Sequence, residues 1–129
     1  MTEQNDRAID KPFHSAGETI EVLARLPLAD VALPEGTAPL EERTLRMRKV
    51  VVESGGVIAA HPHANRPTIL YIMTGRLLEF SSSSDTATEY TAPAIAMPKA
   101  EHWWRNPGDT SAIIIGADLL DPAADAAQG

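Results

Sequence analysis

Two of the four histidines in this chain stand two residues apart, in His61-Pro62-His63. On a β-strand, side chains at positions i and i+2 point to the same face, roughly 6.5–7 Å apart along the backbone. Imidazoles at this spacing can lean toward one divalent cation, with nitrogen–metal distances of roughly 2.0–2.1 Å for zinc. A third ligand must come from a distant strand, and His102 is the candidate. The pattern predicts a metal site on His61, His63 and His102.

Other chemically active groups are few. The chain has no cysteine, which excludes disulfides, thiolate zinc sites, iron–sulfur clusters and cysteine nucleophiles. The fourth histidine, His14, lies in a polar stretch and is expected to be exposed. No residue stands out as a general base, and Tyr71 and Glu79 are no more than possibilities for that role. Glu79 could approach the metal site, whereas Glu101, next to His102, is expected to face the opposite side of its strand.

The histidines must be positioned by short strands. Gly- and Pro-containing turns recur along the chain and no segment shows a sustained 3.6-residue apolar period, which predicts an all-β fold of the sandwich or barrel type. Residues 19–28 suit a first strand or a docking segment, and the serine-rich run 81–85 suits a hairpin tip. The other predicted strands are 45–52, 57–63, 68–74, 77–80, 88–91, 94–98, 102–106 and 111–119.

The residues around the histidines form a longer pattern, whose two parts are Gly55-x5-His61-x-His63-x4-Thr68-x6-Gly75 and Pro98-x3-His102-x3-Asn106. This pattern resembles the two motifs of the cupin superfamily, G-x5-H-x-H-x(3,4)-E-x6-G and G-x5-P-x-G-x2-H-x3-N. The resemblance covers residues 44–119. It implies a cupin-type jelly-roll β-barrel that holds a metal ion inside, on His61, His63 and His102.

The chain departs from the cupin motifs at several positions. Thr68 stands where the family has a glutamate ligand, and Ala92 and Ala100 stand near the expected glycines. The site is therefore predicted to be a neutral three-histidine face, with a more Lewis-acidic ion and an open coordination position. Some cupins bind iron through three histidines alone. Iron is thus the expected ion, with manganese, nickel, copper or zinc as alternatives, and a metal-free barrel is the opposing interpretation.

Strand alternation also predicts the surroundings of the ion. If His102 points inward, Trp103 and Arg105 point outward. The indole of Trp104 would then be a wall for a flat apolar substrate, or would simply fill the barrel. The predicted substrate pocket consists of four residues expected to face inward: Thr68, Leu70, Ile72 and Trp104.

One strand leaves its orientation open. Arg46 and Arg48 share one face of it, and Leu45 and Met47 share the other. Inward arginines would bind a substrate carboxylate bidentately. A solvated outer face is the favoured interpretation, because arginine side chains are mostly exposed.

Length and charge limit the partners. The 129 residues suit one domain, predicted at 18–120, with a flexible arm at 1–17 and a disordered tail at 121–129, in which 123–127 could form one weak helical turn. The net charge of −7 disfavours nucleic acid and anionic membranes. No signal peptide or membrane span is recognised, so a cytoplasmic location is expected. The resemblance implies a homodimer, formed through residues 13–30 or over an outer face that carries Tyr71 and Met73.

Two classes of function follow. A metal with open positions in an apolar pocket predicts a small-molecule enzyme, and a neutral histidine face without an acid–base pair favours a dioxygenase over an isomerase or lyase. The alternative is a non-catalytic barrel that binds or senses a small ligand, which the missing glutamate favours.

Overall fold

The structure is a computed structural model that describes residues 11–31, 33–63 and 65–128. Within these residues two 3-10 turns, Leu28–Asp30 and Leu40–Glu42, are followed by eight strands and one short α-helix. The strands are β1 (Thr44–Val52), β2 (Val57–His61), β3 (Thr68–Thr74), β4 (Arg76–Ser81), β5 (Ser84–Thr91), β6 (Ala94–Ala96), β7 (His102–Arg105) and β8 (Ala112–Leu120), and the helix is α1 (Pro122–Gln128). No helix in the described part is long and apolar enough to cross a bilayer.

The strands form two four-stranded antiparallel sheets. The first sheet has the order β1-β8-β3-β6, and the second sheet has the order β2-β7-β4-β5. Strands that are distant in sequence are thus neighbours in both sheets, as in double-sheet jelly rolls. The predicted all-β jelly-roll barrel is confirmed.

The core lies between the two sheets and follows from the two-residue period of the strands. Along β8, Ala112, Ile114, Gly116, Asp118 and Leu120 are buried, and the residues between them are partly exposed. The apolar part of this interior is a cluster of seven buried residues: Val52, Ile72, Leu77, Ala96, Trp104, Ala112 and Ile114.

The two motif segments are hydrogen-bonded to each other. Gly55 N–H donates to the Asn106 carbonyl over 3.1 Å, and Asn106 N–H donates to the Gly56 carbonyl over 2.9 Å. The buried Asn106 amide also donates to the carbonyls of Val52 and Thr110, each over 2.9 Å. Asn106 therefore joins the end of β7 to the β1–β2 turn and satisfies carbonyls that would otherwise be buried without a partner.

Two segments differ from the predictions. Residues 19–28 contain no strand, and Leu23 and Ala24 instead lie over the outer face of the first sheet. Residues 122–128, predicted as a tail with at most one weak helical turn at 123–127, form the helix α1. Asp121 Oδ1 accepts the N–H of Ala124 over 2.7 Å at the start of this helix, which supplies an acceptor for a free N-terminal donor. Thr44 Oγ1 donates to Asp125 Oδ2 over 2.8 Å and fixes the helix to β1.

Strand ends also differ where turn chemistry was ambiguous. The serine-rich run contributes to both strands of a hairpin, because β4 extends to Ser81 and β5 begins at Ser84. Strand β2 ends at His61, so that His63 lies in the loop that follows. Asn65, in that loop, has a positive φ of 62°, which a short polar side chain tolerates in turns.

Gly75 and Gly55 offer a matched stability test. Both have positive φ, +87° and +77°, but a Cβ on Gly75 would lie 2.7 Å from Ala112 Cα, whereas a Cβ on Gly55 would meet nothing within 4 Å. Gly55→Ala is expected to lose roughly 1–2 kcal/mol of unfolding free energy through backbone strain alone. Gly75→Ala should lose clearly more, because the backbone of β8 must also shift. Urea unfolding of both variants checks this, and equal losses would contradict the described β3–β8 packing.

Candidate metal centre

Three of the four histidines meet at one end of the barrel interior. His61 is the last residue of β2 and pairs directly with His102, the first residue of β7. The register shifts between Ile58 and His61, which is the kind of irregularity that re-aims a side chain. His63 follows in the loop. The ring centroids lie 4.4–4.9 Å apart, and one nitrogen of each ring lies within 4.8 Å of the others.

The hydrogen bonds at the far side of each ring determine which nitrogen carries the proton. His61 Nδ1 lies 2.8 Å from the Ala59 carbonyl, which can only accept. His102 Nδ1 lies 2.6 Å from Glu79 Oε2. His63 Nδ1 lies 3.1 Å from Thr68 Oγ1, whose own proton goes to the Arg66 carbonyl over 2.9 Å. Each Nδ1 therefore donates, and each Nε2 presents a lone pair.

These Nε2 lone pairs point at one another without a proton between them. His61 Nε2 and His102 Nε2 lie 2.9 Å apart. Among the described residues, the buried His63 Nε2 has no hydrogen-bond partner. The Trp104 indole N–H reaches His102 Nε2 only over a long 3.4 Å contact. Lone pairs that converge in this way are a ligand set for a cation, and the residues fit a metal ion.

The electrostatics keep two of the imidazoles neutral. Burial, together with the nearby His102 and His61, lowers the pKa of His63 to about 3. Burial also lowers the pKa of His61, despite its hydrogen bond to the Ala59 carbonyl. Because metals bind the neutral form of histidine, the ligand form is the one present at neutral pH.

A carboxylate and a phenol support His102 from behind. Glu79 was a candidate for a replacement carboxylate ligand or a general base, and its Oε2 contacts His102 Nδ1 while Oε1 accepts from the Tyr90 hydroxyl over 3.1 Å. Burial, and next the charge of Glu79, raise the pKa of Tyr90 to about 12, so the phenol stays protonated and keeps donating. Carboxylates that hold a ligating histidine in this way orient the ring and raise its basicity. Sequence reasoning missed Tyr90, which carried no motif signal.

A cavity of about 310 Å³ opens beside the three rings. Its wall includes Thr68, Leu70 and Trp104 of the predicted pocket. Ile72 is fully buried in the core and does not line the cavity. Tyr71, the other base candidate, lies on the outer face of the first sheet. The wall is completed by residues that the prediction did not include: Arg48, Val50, Ile58, Ala59, Ala60, Arg66 and Ile114.

The inward face of the first sheet is ordered in rows, and part of each row lines the cavity. One row across β1, β8 and β3 is Arg46–Asp118–Thr68, and the next is Arg48–Gly116–Leu70. The third row, Val50–Ile114–Ile72, is entirely apolar. This inward face therefore changes from charged to apolar along the barrel.

The favoured outward orientation of Arg46 and Arg48 is wrong. Arg46 donates to Asp118 through Nε (3.1 Å) and Nη2 (2.8 Å), and Arg48 lines the cavity, whereas Leu45 and Met47 are exposed. The reason is Asp118, whose side chain is only 3% exposed. A buried carboxylate requires a counter-ion, and the register places Arg46 directly opposite.

Asp118 is also held by Arg66, whose Nε and Nη2 each lie 3.2 Å from Asp118 Oδ2. Burial alone would raise the pKa of Asp118, but the hydrogen bonds and charges of Arg46 and Arg66 outweigh it and lower the pKa below its usual value. The carboxylate is therefore ionised at neutral pH and ties β1, β8 and the loop before β3 together.

The outward residues behave as strand alternation predicts. Trp103 and Arg105 are exposed, and Trp103 stacks on Phe80 with ring centroids 6.0 Å apart. Glu101 is exposed and accepts a hydrogen bond from the Ser82 hydroxyl over 2.9 Å. His14 is exposed in the N-terminal segment.

Asp118→Asn tests the buried ion-pair network. It leaves Arg46 and Arg66 without their counter-ion and is expected to cost about 3 kcal/mol of unfolding free energy at pH 7. Glu89→Gln is the matched control, since it removes the carboxylate of the exposed Arg76–Glu89 pair and should cost less than about 1 kcal/mol. Because the folded pKa of Asp118 is lowered, its contribution is present above the unfolded pKa of about 3.9 and is lost as the pH falls through the folded value. Urea unfolding should therefore show the two chains converging at acidic pH, and a constant difference would contradict the ion-pair assignment.

Known proteins resemble this chain in structure but not measurably in sequence. No family model and no curated protein matches the sequence. A cupin 2 conserved barrel domain protein from Salinispora arenicola is 22% identical, with a TM-score of 0.50 over 87% of this chain and 100% of that one. A cupin domain from Bordetella pertussis is 22% identical, with a TM-score of 0.50 over 60% of this chain and 82% of that one.

A third similar structure, a predicted oxalate decarboxylase from Thermotoga maritima, is 18% identical with a TM-score of 0.51 over 57% of this chain. The match spans 64% of the Thermotoga protein, so about a third of that protein has no counterpart in the alignment. At these identities the likeness concerns the fold. The chain therefore has the fold of the cupin superfamily, the jelly-roll barrel that its sequence motifs imply.

Proposed function

We propose that this protein is a metal-dependent small-molecule enzyme of the dioxygenase type, with His61, His63 and His102 as the ligands of one divalent ion, expected to be iron. The observation that carries the proposal is the convergence of three Nε2 lone pairs, each fixed by a hydrogen bond at the opposite Nδ1. A redox-active ion bound there supplies the capacity to bind dioxygen and a chelating substrate together.

Thr68 supports an ion held by three histidines alone. Its hydroxyl accepts from His63 Nδ1 and donates to the Arg66 carbonyl, so it orients a ligand instead of acting as one. Three neutral nitrogens leave the full charge of a divalent ion uncompensated and leave coordination positions open to the cavity. The threonine at the family's glutamate position is thus consistent with a working site.

The cavity wall determines what the site admits. Leu70, Ile114 and Trp104 form apolar surface beside the ligands and limit the access of water. A volume of about 310 Å³ is at the small end of ligand pockets, so the substrate is a small molecule. Trp104, 1% exposed and edge-on to His102 with centroids 5.3 Å apart, offers its ring to a flat substrate.

The second candidate is a non-catalytic ligand-binding barrel. Among the described residues that line the cavity there is no carboxylate and no tyrosine, so no side chain there is an evident general base. This composition disfavours an isomerase or lyase, which must move protons, more than it disfavours an oxygenase. It is equally compatible with a protein that only binds its ligand.

Metal content tests the ligand assignment. The purified wild type, loaded with Fe(II) under anaerobic conditions and then desalted, should retain close to one equivalent of iron per chain by mass spectrometry. His61→Ala/His63→Ala should retain less than a tenth of that, because one imidazole cannot hold the ion. His14→Ala, which removes an exposed histidine, should retain the wild-type amount. Equal metal in the double variant and the wild type would contradict the site.

Oxygen uptake then separates the two functions. With the iron-loaded protein, substrate-dependent oxygen consumption that disappears in the double variant and persists in His14→Ala supports a dioxygenase. Saturable binding of a candidate substrate to the iron-loaded protein without oxygen consumption would favour the ligand-binding barrel.

A further inference from the structure

The charged residues on and beside the cavity wall carry more positive than negative charge. Arg46, Arg48 and Arg66 surround a single carboxylate, Asp118. The three histidines on the opposite side of the cavity carry no negative charge in either protonation state, so they do not offset the arginines. In a chain with a net charge of −7, this is a local concentration of positive charge inside a concave site.

Asp118 engages two of the three arginines closely and the third only weakly. Arg46 and Arg66 each contact it through two nitrogens at 2.8–3.2 Å. The nearest nitrogen of Arg48 is 4.0 Å from Asp118 Oδ2, and the Arg48 guanidinium makes no hydrogen bond to any described residue. The charge of Arg48 is therefore incompletely compensated, and burial, followed by the neighbouring Arg46, lowers the pKa of Arg48 accordingly. A guanidinium in this state is stabilised when an added anion forms charge-assisted hydrogen bonds with it.

The residues around Arg48 would surround an anion bound to it. Arg48 lies in one row with Gly116, which has no side chain, and Leu70. The apolar row of Val50 and Ile114 follows immediately, and the side chain of Arg48 lines the cavity and is 43% exposed. A ligand whose anionic group pairs with Arg48 would therefore have its remaining atoms against an apolar wall.

We propose that Arg48 is a specificity-determining residue, and that the cavity accepts a small carboxylic acid whose carboxylate pairs with its guanidinium while a flat apolar body packs toward Leu70 and Trp104. This inference names a substrate class for the site in the proposed function. Any reaction of that substrate rests on the proposed function, whereas its binding to Arg48 does not. Planar carboxylates match the two parallel N–H donors of a guanidinium, which gives both charge and shape selection.

The test compares matched acids and amides. Benzoate and benzamide, and phenylacetate and phenylacetamide, are titrated into the as-purified protein by calorimetry, with metal content measured on every preparation. The wild type should bind each carboxylate at least tenfold more tightly than its amide. Arg48→Gln should lose that preference, and Arg48→Lys should retain part of it. Arg105→Gln, which removes an exposed arginine outside the cavity, should keep the full preference.

The outcomes separate this inference from the proposed function. Equal affinity for acid and amide in the wild type, no saturable carboxylate binding, or a preference that survives in Arg48→Gln would overturn the inference, whatever the metal content. A preference that disappears in Arg48→Gln while metal content and melting temperature stay at wild-type values supports it. If the wild type holds no metal but its preference for carboxylates is lost in Arg48→Gln, the inference stands and the proposed metal function fails.

Discussion

Two buried imidazoles and a half-buried one at one end of a barrel impose a strict requirement, because each ring has one N–H that needs an acceptor and one lone pair that needs a donor or a cation. The structure meets the first half with three different acceptors: the Ala59 carbonyl, the Thr68 hydroxyl and the Glu79 carboxylate. The lone pairs, in contrast, have no protein donor within a normal hydrogen-bond length among the described residues. This asymmetry, in which the N–H groups are satisfied and the lone pairs converge, is what makes the cluster able to hold a metal ion.

The two sheets divide the work around this centre. The second sheet carries His61, His102, Glu79 and Trp104, and so provides two of the three candidate ligands, the support of His102 and the aromatic wall. The first sheet faces them with a wall whose charged row is organised by Asp118 and whose apolar row continues into the core. A jelly roll suits this arrangement, because two inward faces of different chemistry meet across one cavity.

The sequence predicts the three candidate ligands because the His-x-His spacing is local and the second motif marks His102. The alternation argument behind the first pair does not apply in the structure, since His63 lies in the loop after β2 and not on the strand. Alternation does place Trp104 inward with His102. It could not orient β1, because a two-residue period says that Arg46 and Arg48 share a face but not which face. That choice depends on Asp118, which is 72 residues from Arg46. The roles of Glu79 and Tyr90, on neighbouring strands of the second sheet, and the docking of α1 on β1 depend likewise on contacts that no local pattern encodes.

The most direct test of the account counts the ligands themselves. X-ray absorption spectroscopy on the iron-loaded protein, with the multiple-scattering signal of imidazole fitted, reports how many histidines bind the ion. The account predicts three imidazoles, with the remaining coordination filled by water, and an unchanged count in Glu79→Gln because Glu79 holds His102 from behind. Two imidazoles together with a carboxylate ligand that disappears in Glu79→Gln would contradict it, since Glu79 would then be a ligand and the three-histidine face would not exist.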